Sequence, residues 1–358
     1  VGFTAAIYSI MQFIFTPVWG ALSDRYGRRP IILFSIVGSV ISYFIFSFAS
    51  TLPVLLLSRS LSGIGSGNIS AAQAYISDIT EPKDRAKSMG LIGAAFGLGF
   101  IIGPSIGGFL MSQFGFSSIG YFCSALCLLN LILAYFILPE SIKEKNLDSP
   151  IRILPFHEYK AIFNQPIHSR LFLINFIYIS AFFFFQITSP LLWKERYGFN
   201  ETEIGLILSF VGISTALVQG LLVGLLNKFF NEQTMLRTGT VILSLAIVSV
   251  PFIPADFFWL LIFPIIFLIA LSGGFIGPSN LALISKTTAA QEQGKTLGLF
   301  QSFGSLARVF GPLVGSTLYG VTYYFPYVAG LTILILNLFL FILPLNRLLN
   351  KNKSDVAG

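Results

Sequence analysis

A chain of 358 residues that is 54% hydrophobic and only 10% charged, with a mean hydropathy of +0.81, is not a water-soluble globular domain, which carries roughly a quarter of its residues as Asp, Glu, Lys and Arg. The composition is that of an all-α, multi-pass integral membrane protein. The formal charge of +7 sits in short clusters between apolar runs, which argues against nucleic acid as a partner and for the lipid bilayer. Cys123 and Cys127 stand four apart inside an apolar run, and His157 and His168 share one polar stretch. That pattern encodes neither a disulfide framework nor a metal site. Nucleotide-cradling loops and paired carboxylates are missing too, so the expectation is a non-enzyme without cofactor.

Taken in order, apolar runs able to cross about 30 Å of hydrocarbon occupy 3–22, 31–49, 54–77, 88–111, 118–138, 171–193, 204–226, 235–253, 257–284, 296–319 and 324–345. If the loop holding Arg25, Arg28 and Arg29 is cytoplasmic, eighteen of the 22 Lys and Arg lie inside, Lys194 and Arg196 lie outside, and Arg59 and Arg308 fall within spans. A bias of this size follows the positive-inside rule. It puts the C-terminus in the cytoplasm, in a plasma or inner membrane, and Val1 outside at the head of an inward-going span. Eleven spans so oriented imply a twelfth ahead of them. The expected organisation is an N-terminal half over 1–138, a cytoplasmic linker over 139–170 holding Pro150, Pro155 and Pro166, a C-terminal half over 171–345 and a cytoplasmic tail over 346–358.

The two halves repeat. At a shift of 208, Ala74 falls on Ala282, Ile76 on Ile284, Ser77 on Ser285, Thr80 on Thr288, Lys87 on Lys295 and Gly90 on Gly298, continuing to Gly103 on Gly311, Pro104 on Pro312 and Gly107 on Gly315. Charged, Pro and Gly landmarks in register over thirty-odd residues mark a duplication rather than chance apolar likeness. At a shift of 204 the loop after the first span has a degenerate echo in Gly224-Leu225-Leu226-Asn227-Lys228. The fold expected is two pseudo-symmetric six-helix halves related by an axis along the membrane normal.

The loudest local signal is the turn Gly20-Ala21-Leu22-Ser23-Asp24-Arg25-Tyr26-Gly27-Arg28-Arg29-Pro30. Its arginines anchor the loop at the inner surface, and Asp24 is placed to cap the helix that follows. Gly20, Leu22, Asp24, Arg25, Gly27, Arg28 and Arg29 resemble the G-x-L-x-D-R-x-G-R-R loop between the second and third helices of the major facilitator superfamily. That resemblance implies a conformational latch, in which Asp24 pairs with Arg28 or with charges at the end of the fourth helix such as Asp78. Opening inward would break those pairs. The stretch Gly99-Phe100-Ile101-Ile102-Gly103-Pro104-Ser105-Ile106-Gly107-Gly108 offers close helix packing through glycines four apart and a proline bend. It resembles the G-x-x-x-G-P-x-x-G-G element in the fifth helix of the family's drug–proton antiporters, and Gly311, Pro312 and Gly315 carry its second copy.

Arg59, followed by Gly63, resembles the R-x-x-x-G element of the family's fourth helix. At about one turn from the outer end it either snorkels to water or faces the cavity in support of proton movement. Arg308, about three turns into its span, either binds substrate or a counter-ion or pairs with backbone carbonyls. Gln12, Asn68, Gln73, Asn175, Gln186, Gln219, Asn280 and Gln301 either line the pathway or bond another helix. With Tyr178 and Phe182 to Phe185 they suggest a large, mostly apolar pocket for an amphipathic small molecule. Ala74-Tyr75-Ile76-Ser77-Asp78-Ile79-Thr80 and Leu138-Pro139-Glu140-Ser141 resemble the tetracycline-efflux branch in particular. That branch uses acids inside the membrane, whereas here all 15 Asp and Glu lie in loops or at helix ends and Ser42 stands where the third helix would carry an aspartate. The resemblance implies alternating-access efflux of a small organic molecule, with protons as the coupling ion and without tetracycline as the expected substrate. A metabolite facilitator or symporter, or a non-transporting membrane receptor on the same scaffold, are the alternatives.

Overall fold

The computed structural model describes residues 2–80, 95, 98–99, 102–103, 106–142, 160, 162–226, 229–288, 293–345 and 348, and among them there is helix and no strand. In hydrocarbon every backbone N–H and C=O must be satisfied within its own segment, and apolar runs meet that demand as helices. In chain order these are α1 (Gly2–Tyr26), α2 (Arg28–Ser47), α3 (Leu52–Ser66), α4 (Ile69–Ile79), α5 (Phe116–Ile137), α6 (Pro166–Tyr197), α7 (Glu201–Leu217), α8 (Val223–Leu226), α9 (Glu232–Ser249), α10 (Phe258–Thr287), α11 (Gln293–Val321) and α12 (Phe325–Asn337). Seven described helices are individually long and apolar enough to cross a membrane. The span expected over 88–111 lies largely outside the described residues.

Two expected spans are built in pieces. The run over 54–77 is broken at Gly67 and Asn68, whose amides reach back three residues to Ile64 and Gly65. The break follows from side-chain demands: Asn68 Nδ2 donates to Ser35 Oγ at 2.6 Å, and a Cβ on Gly67 would stand 3.0 Å from the backbone nitrogen of Thr16. The run over 204–226 passes from α7 to α8 through a π-helical turn, Val218–Leu222. At the other end of the expected linker, α6 starts at Pro166, where a proline suits the first helical position. His168 is therefore a buried helix residue, within 2.9 Å of Thr288 Oγ1, rather than part of a loop.

The chain divides into two compact units, one of Phe3–Phe96 with Ile106–Pro155 and the other of Val1–Gly2, Gly97–Ser105 and Phe156–Gly358. In the first, α2 packs on α3 and α5 through small residues. A Cβ on Gly120 would meet Ser47 backbone at 2.7 Å, and Ser124 Oγ donates to Val40 O at 3.0 Å. This is how helices approach where lipid removes the hydrophobic incentive. The second unit has a continuous apolar centre in which Leu171, Trp193, Leu236, Ile266 and Tyr327 are wholly buried. The duplication is visible at helix ends: Thr80 after α4 and Thr288 after α10 have nearly the same extended backbone, φ −112°, ψ 134° and φ −109°, ψ 134°.

Candidate functional site: an ion-pair cluster at the α1–α2 turn

Only Gly27 separates α1 from α2. Its φ of +111° is a conformation that L side chains rarely adopt, and a Cβ there would fall 2.4 Å from Glu140 Oε2. Glycine therefore lets the chain reverse and lets a distant carboxylate reach the new helix. Glu140 Oε1 accepts the Arg28 amide at 2.9 Å and Oε2 the Arg29 amide at 3.3 Å, while the amides of Ser141 and Ile142 close on Oε1. The orphan donors at the start of α2 are thus satisfied by an anion from beyond α5, as the helix dipole favours. Asp24 does not cap α2, contrary to expectation; it belongs to the last turn of α1 and points its charge elsewhere.

That charge meets Arg28. Arg28 Nη1 lies 2.5 Å from Asp24 Oδ1 and donates to Ser23 Oγ at 2.6 Å, while its Nε donates to Asp78 Oδ2 at 3.1 Å. The guanidinium side chain is 11% exposed, against 38% for Asp24 and 29% for Asp78. It is the nearly enclosed centre of a cluster whose anions touch water. Ser141 Oγ donates a further bond to Asp78 Oδ2 at 3.0 Å. Arg29 Nη2 donates to Tyr135 O at 2.8 Å, with the guanidinium 5.4 Å from the Tyr135 ring centre. The polarity is costly by itself, since Arg28 stands at the positive end of α2 and Asp78 at the negative end of α4. Each is held there by the other. Arg25 is half-buried beside them.

Asp24, Gly27, Arg28, Arg29 and Asp78, the residues expected to form a latch, are thus brought together, all in one unit. Sequence reasoning passed over Glu140, Ser141 and Ser23 as members. The available signal was the acid directly after Leu138-Pro139, at the end of an apolar span.

The other predicted residues are dispersed. Arg59 lies two turns into α3, half-buried, with its guanidinium carbon 4.4 Å from the centre of the Phe46 ring. Arg308 is half-buried near the middle of α11. Three amides join helices within their own unit: Gln12 Nε2 to Ser66 O at 3.5 Å, Asn68 to Ser35, and wholly buried Asn280 Nδ2 to Leu171 O at 3.1 Å. Gln73 is exposed, and Gln186 Oε1 is buried with no hydrogen-bond partner among the described residues. The side chains of Gln301 and Pro104 lie outside the described residues. Phe184 and Phe185 are buried in the second unit.

The second glycine element is a packing seam. A Cβ on Gly311 would meet Phe183 Cβ at 2.5 Å, and one on Gly315 would meet Phe184 Cα at 3.1 Å, so α11 rides directly on α6. In the first copy, Gly99, Gly103 and Gly107 have nothing among the described residues within 4 Å of where a Cβ would stand, and Gly108 is half-buried.

A family model described as the Major Facilitator Superfamily matches residues 1–312 and 171–358. The class C tetracycline resistance protein of Escherichia coli is 34% identical over 331 residues, covering 90% of this chain and 80% of that protein. Multidrug resistance protein 2 of Bacillus subtilis (strain 168) is 29% identical over 365 residues, covering 100% and 88%. The crystal structure of the human organic anion transporter MFSD10 (TETRAN) superposes with a TM-score of 0.71 at 23% identity, covering 95% of this chain and 83% of that one.

Proposed function

The chain belongs to the major facilitator superfamily, and on that footing we propose that it is a multi-pass secondary transporter exporting a small amphipathic organic molecule in exchange for protons. Resistance proteins for tetracycline and for multiple drugs among its relatives support outward transport. The observation that carries the reading is Arg28, 11% exposed and held between Asp24 and Asp78 at the mouth of a helical bundle. A static scaffold has no use for an enclosed cation whose partners are half in water, whereas a gate uses pairs strong when shielded and weak when wetted. The cluster end faces the cytoplasm in this reading. The halves are 1–138 and 171–345, joined by a linker over 139–170 and followed by a tail over 346–358. Because every described partner of Arg28 belongs to its own unit, the latch works by holding α1, α2, α4 and the segment after α5 as one block. Loosening that block accompanies inward opening. Gly99, Gly103, Pro104, Gly107 and Gly108, with Gly311, Pro312 and Gly315, serve as the hinge and packing element. Arg59, Arg308, Gln73, Gln186 and Gln301 are the pathway candidates, while Gln12, Asn68 and Asn280 act as helix ties.

No Asp or Glu is buried among the described residues, whereas two arginines lie within spans, so the test must span both signs of substrate charge. Inverted membrane vesicles are loaded separately with a cationic and an anionic fluorescent dye under an imposed pH gradient. Accumulation that collapses when the gradient is dissipated, and that Arg28→Ala reduces, is the expected result. Gradient-independent movement would replace antiport with facilitated diffusion, and movement of neither dye would remove the export reading.

A further inference from the structure

The duplication carries the ion pair as well as the helices, with its charges exchanged. At the loop shift of 204, Arg28 falls on Glu232; at the span shift of 208, Asp78 falls on Lys286. Arg28 and Glu232 are the first residues of α2 and α9, and Asp78 and Lys286 are the last but one of α4 and α10. Lys286 Nζ donates to Glu232 Oε1, joining α9 to α10 as Arg28 joins α2 to α4. Both members have changed sign, so the attraction between the two helix ends is what has been kept.

The exchange has a physical consequence. Glu232 lies at the positive end of α9 and Lys286 at the negative end of α10, so this pair agrees with both helix dipoles where the first opposes them. The carboxylate described against Lys286 is that of Glu232, where Arg28 is described against two. The α9 start is capped locally, by Asn231 Oδ1 accepting the Thr234 amide at 2.8 Å, and needs no distant carboxylate. Glu232 lines a cavity of about 500 Å³ with Phe229, Phe230, Asn231, Pro278, Ser279 and Ala282. With the Lys286 side chain 63% exposed and that of Glu232 29% exposed, the pair can part without stranding a charge.

We propose that Glu232 and Lys286 form a second clasp, of reversed polarity, that positions α9 against α10 and restrains their separation during the transport cycle. They are positioning residues and touch no substrate. The inference rests on the transport reading for its role in the cycle, but its readout does not.

The test places a reporter cysteine at Ser279, which is 2% exposed, in a background with Cys123 and Cys127 replaced by serine. Labelling by a water-soluble thiol reagent is then followed in membranes. Glu232→Gln and Lys286→Gln are each expected to raise the labelling rate about two- to fivefold, the equivalent of one lost water-exposed ion pair, and to lower maximal transport without altering KM. The exchanged pair Glu232→Lys with Lys286→Glu is expected to bring labelling back to within about twofold of the parent. Unchanged labelling in the single variants, or an exchanged pair no better than they are, overturns the clasp. If the single variants fail to accumulate, the exchanged pair decides: recovery supports the proposal and non-recovery overturns it. Labelling needs no substrate, so a failure of the export reading would leave this result intact.

Discussion

Gly27 and Glu140 show how one backbone angle can organise a site. The left-handed φ and the carboxylate pressed against the position act together, so Gly27→Ala is expected to destabilise the protein by about 1–3 kcal/mol, read as a lower midpoint in a thermal or denaturant melt of purified protein. Arg28→Lys tests the fork: one ammonium cannot serve Asp24 through one nitrogen and Asp78 through another as the guanidinium does. Dye transport is expected to fall about tenfold, the equivalent of one lost hydrogen bond to a charged group at about 1.5 kcal/mol. The membership of Asp24, Gly27, Arg28 and Asp78 was legible in the sequence because charged residues are sparse and stand out against apolar text. Glu140 was not, since 112 residues separate it from the amide it caps and nothing local records that distance.

Among elements, the two copies of the glycine motif separate a sequence pattern from its packing. The text is nearly the same, yet Gly311 lies under Phe183 while its equivalent Gly103 meets nothing within 4 Å among the described residues. Gly311→Ala should therefore cost about 1–3 kcal/mol by overpacking the α6–α11 seam, whereas Gly103→Ala should leave the melting midpoint unchanged; equal effects would show that the motif rather than the contact matters. The start of α7 gives a contrasting case. The Lys194 ammonium, hydrogen-bonded to Glu201, holds its carboxyl below the ordinary value of 4.5. What the pair contributes is thus complete above that value and lost as pH falls through the lowered one. Both groups are well exposed, so Glu201→Gln is expected to leave the melting midpoint at neutral pH where it was. Hydropathy located the runs that seven described helices fill, but not the break at Gly67 and Asn68 or the π-helical turn after α7. Both depend on what a neighbouring helix offers a polar side chain or a bare backbone.

At the scale of the whole molecule, the duplication predicts an asymmetry between the halves. Exchanging charges in the first pair, Arg28→Asp with Asp78→Arg, would set a new carboxylate beside Asp24 and Glu140 and take away the guanidinium with which Asp24 pairs. Transport is expected to stay at the level of the single variants, whereas the corresponding exchange at Glu232 and Lys286 recovers. Equal recovery in both halves would show that the surrounding anions count for little.

Read alone, the sequence establishes many membrane-crossing helices, an internal duplication and the clustering of basic residues between apolar runs. Each follows from composition and period, because hydrocarbon leaves a chain with few backbone choices. Tertiary structure alone decided which polar groups are occupied. Asn68 and Asn280 read in one dimension either as pathway residues or as bonds to another helix, and the packed helices show the bonds; Asp24 serves a guanidinium rather than a helix start. A polar group in a low-dielectric interior takes whatever partner lies within about 3 Å, and distances of that order between residues far apart in the chain exist only once the helices have packed.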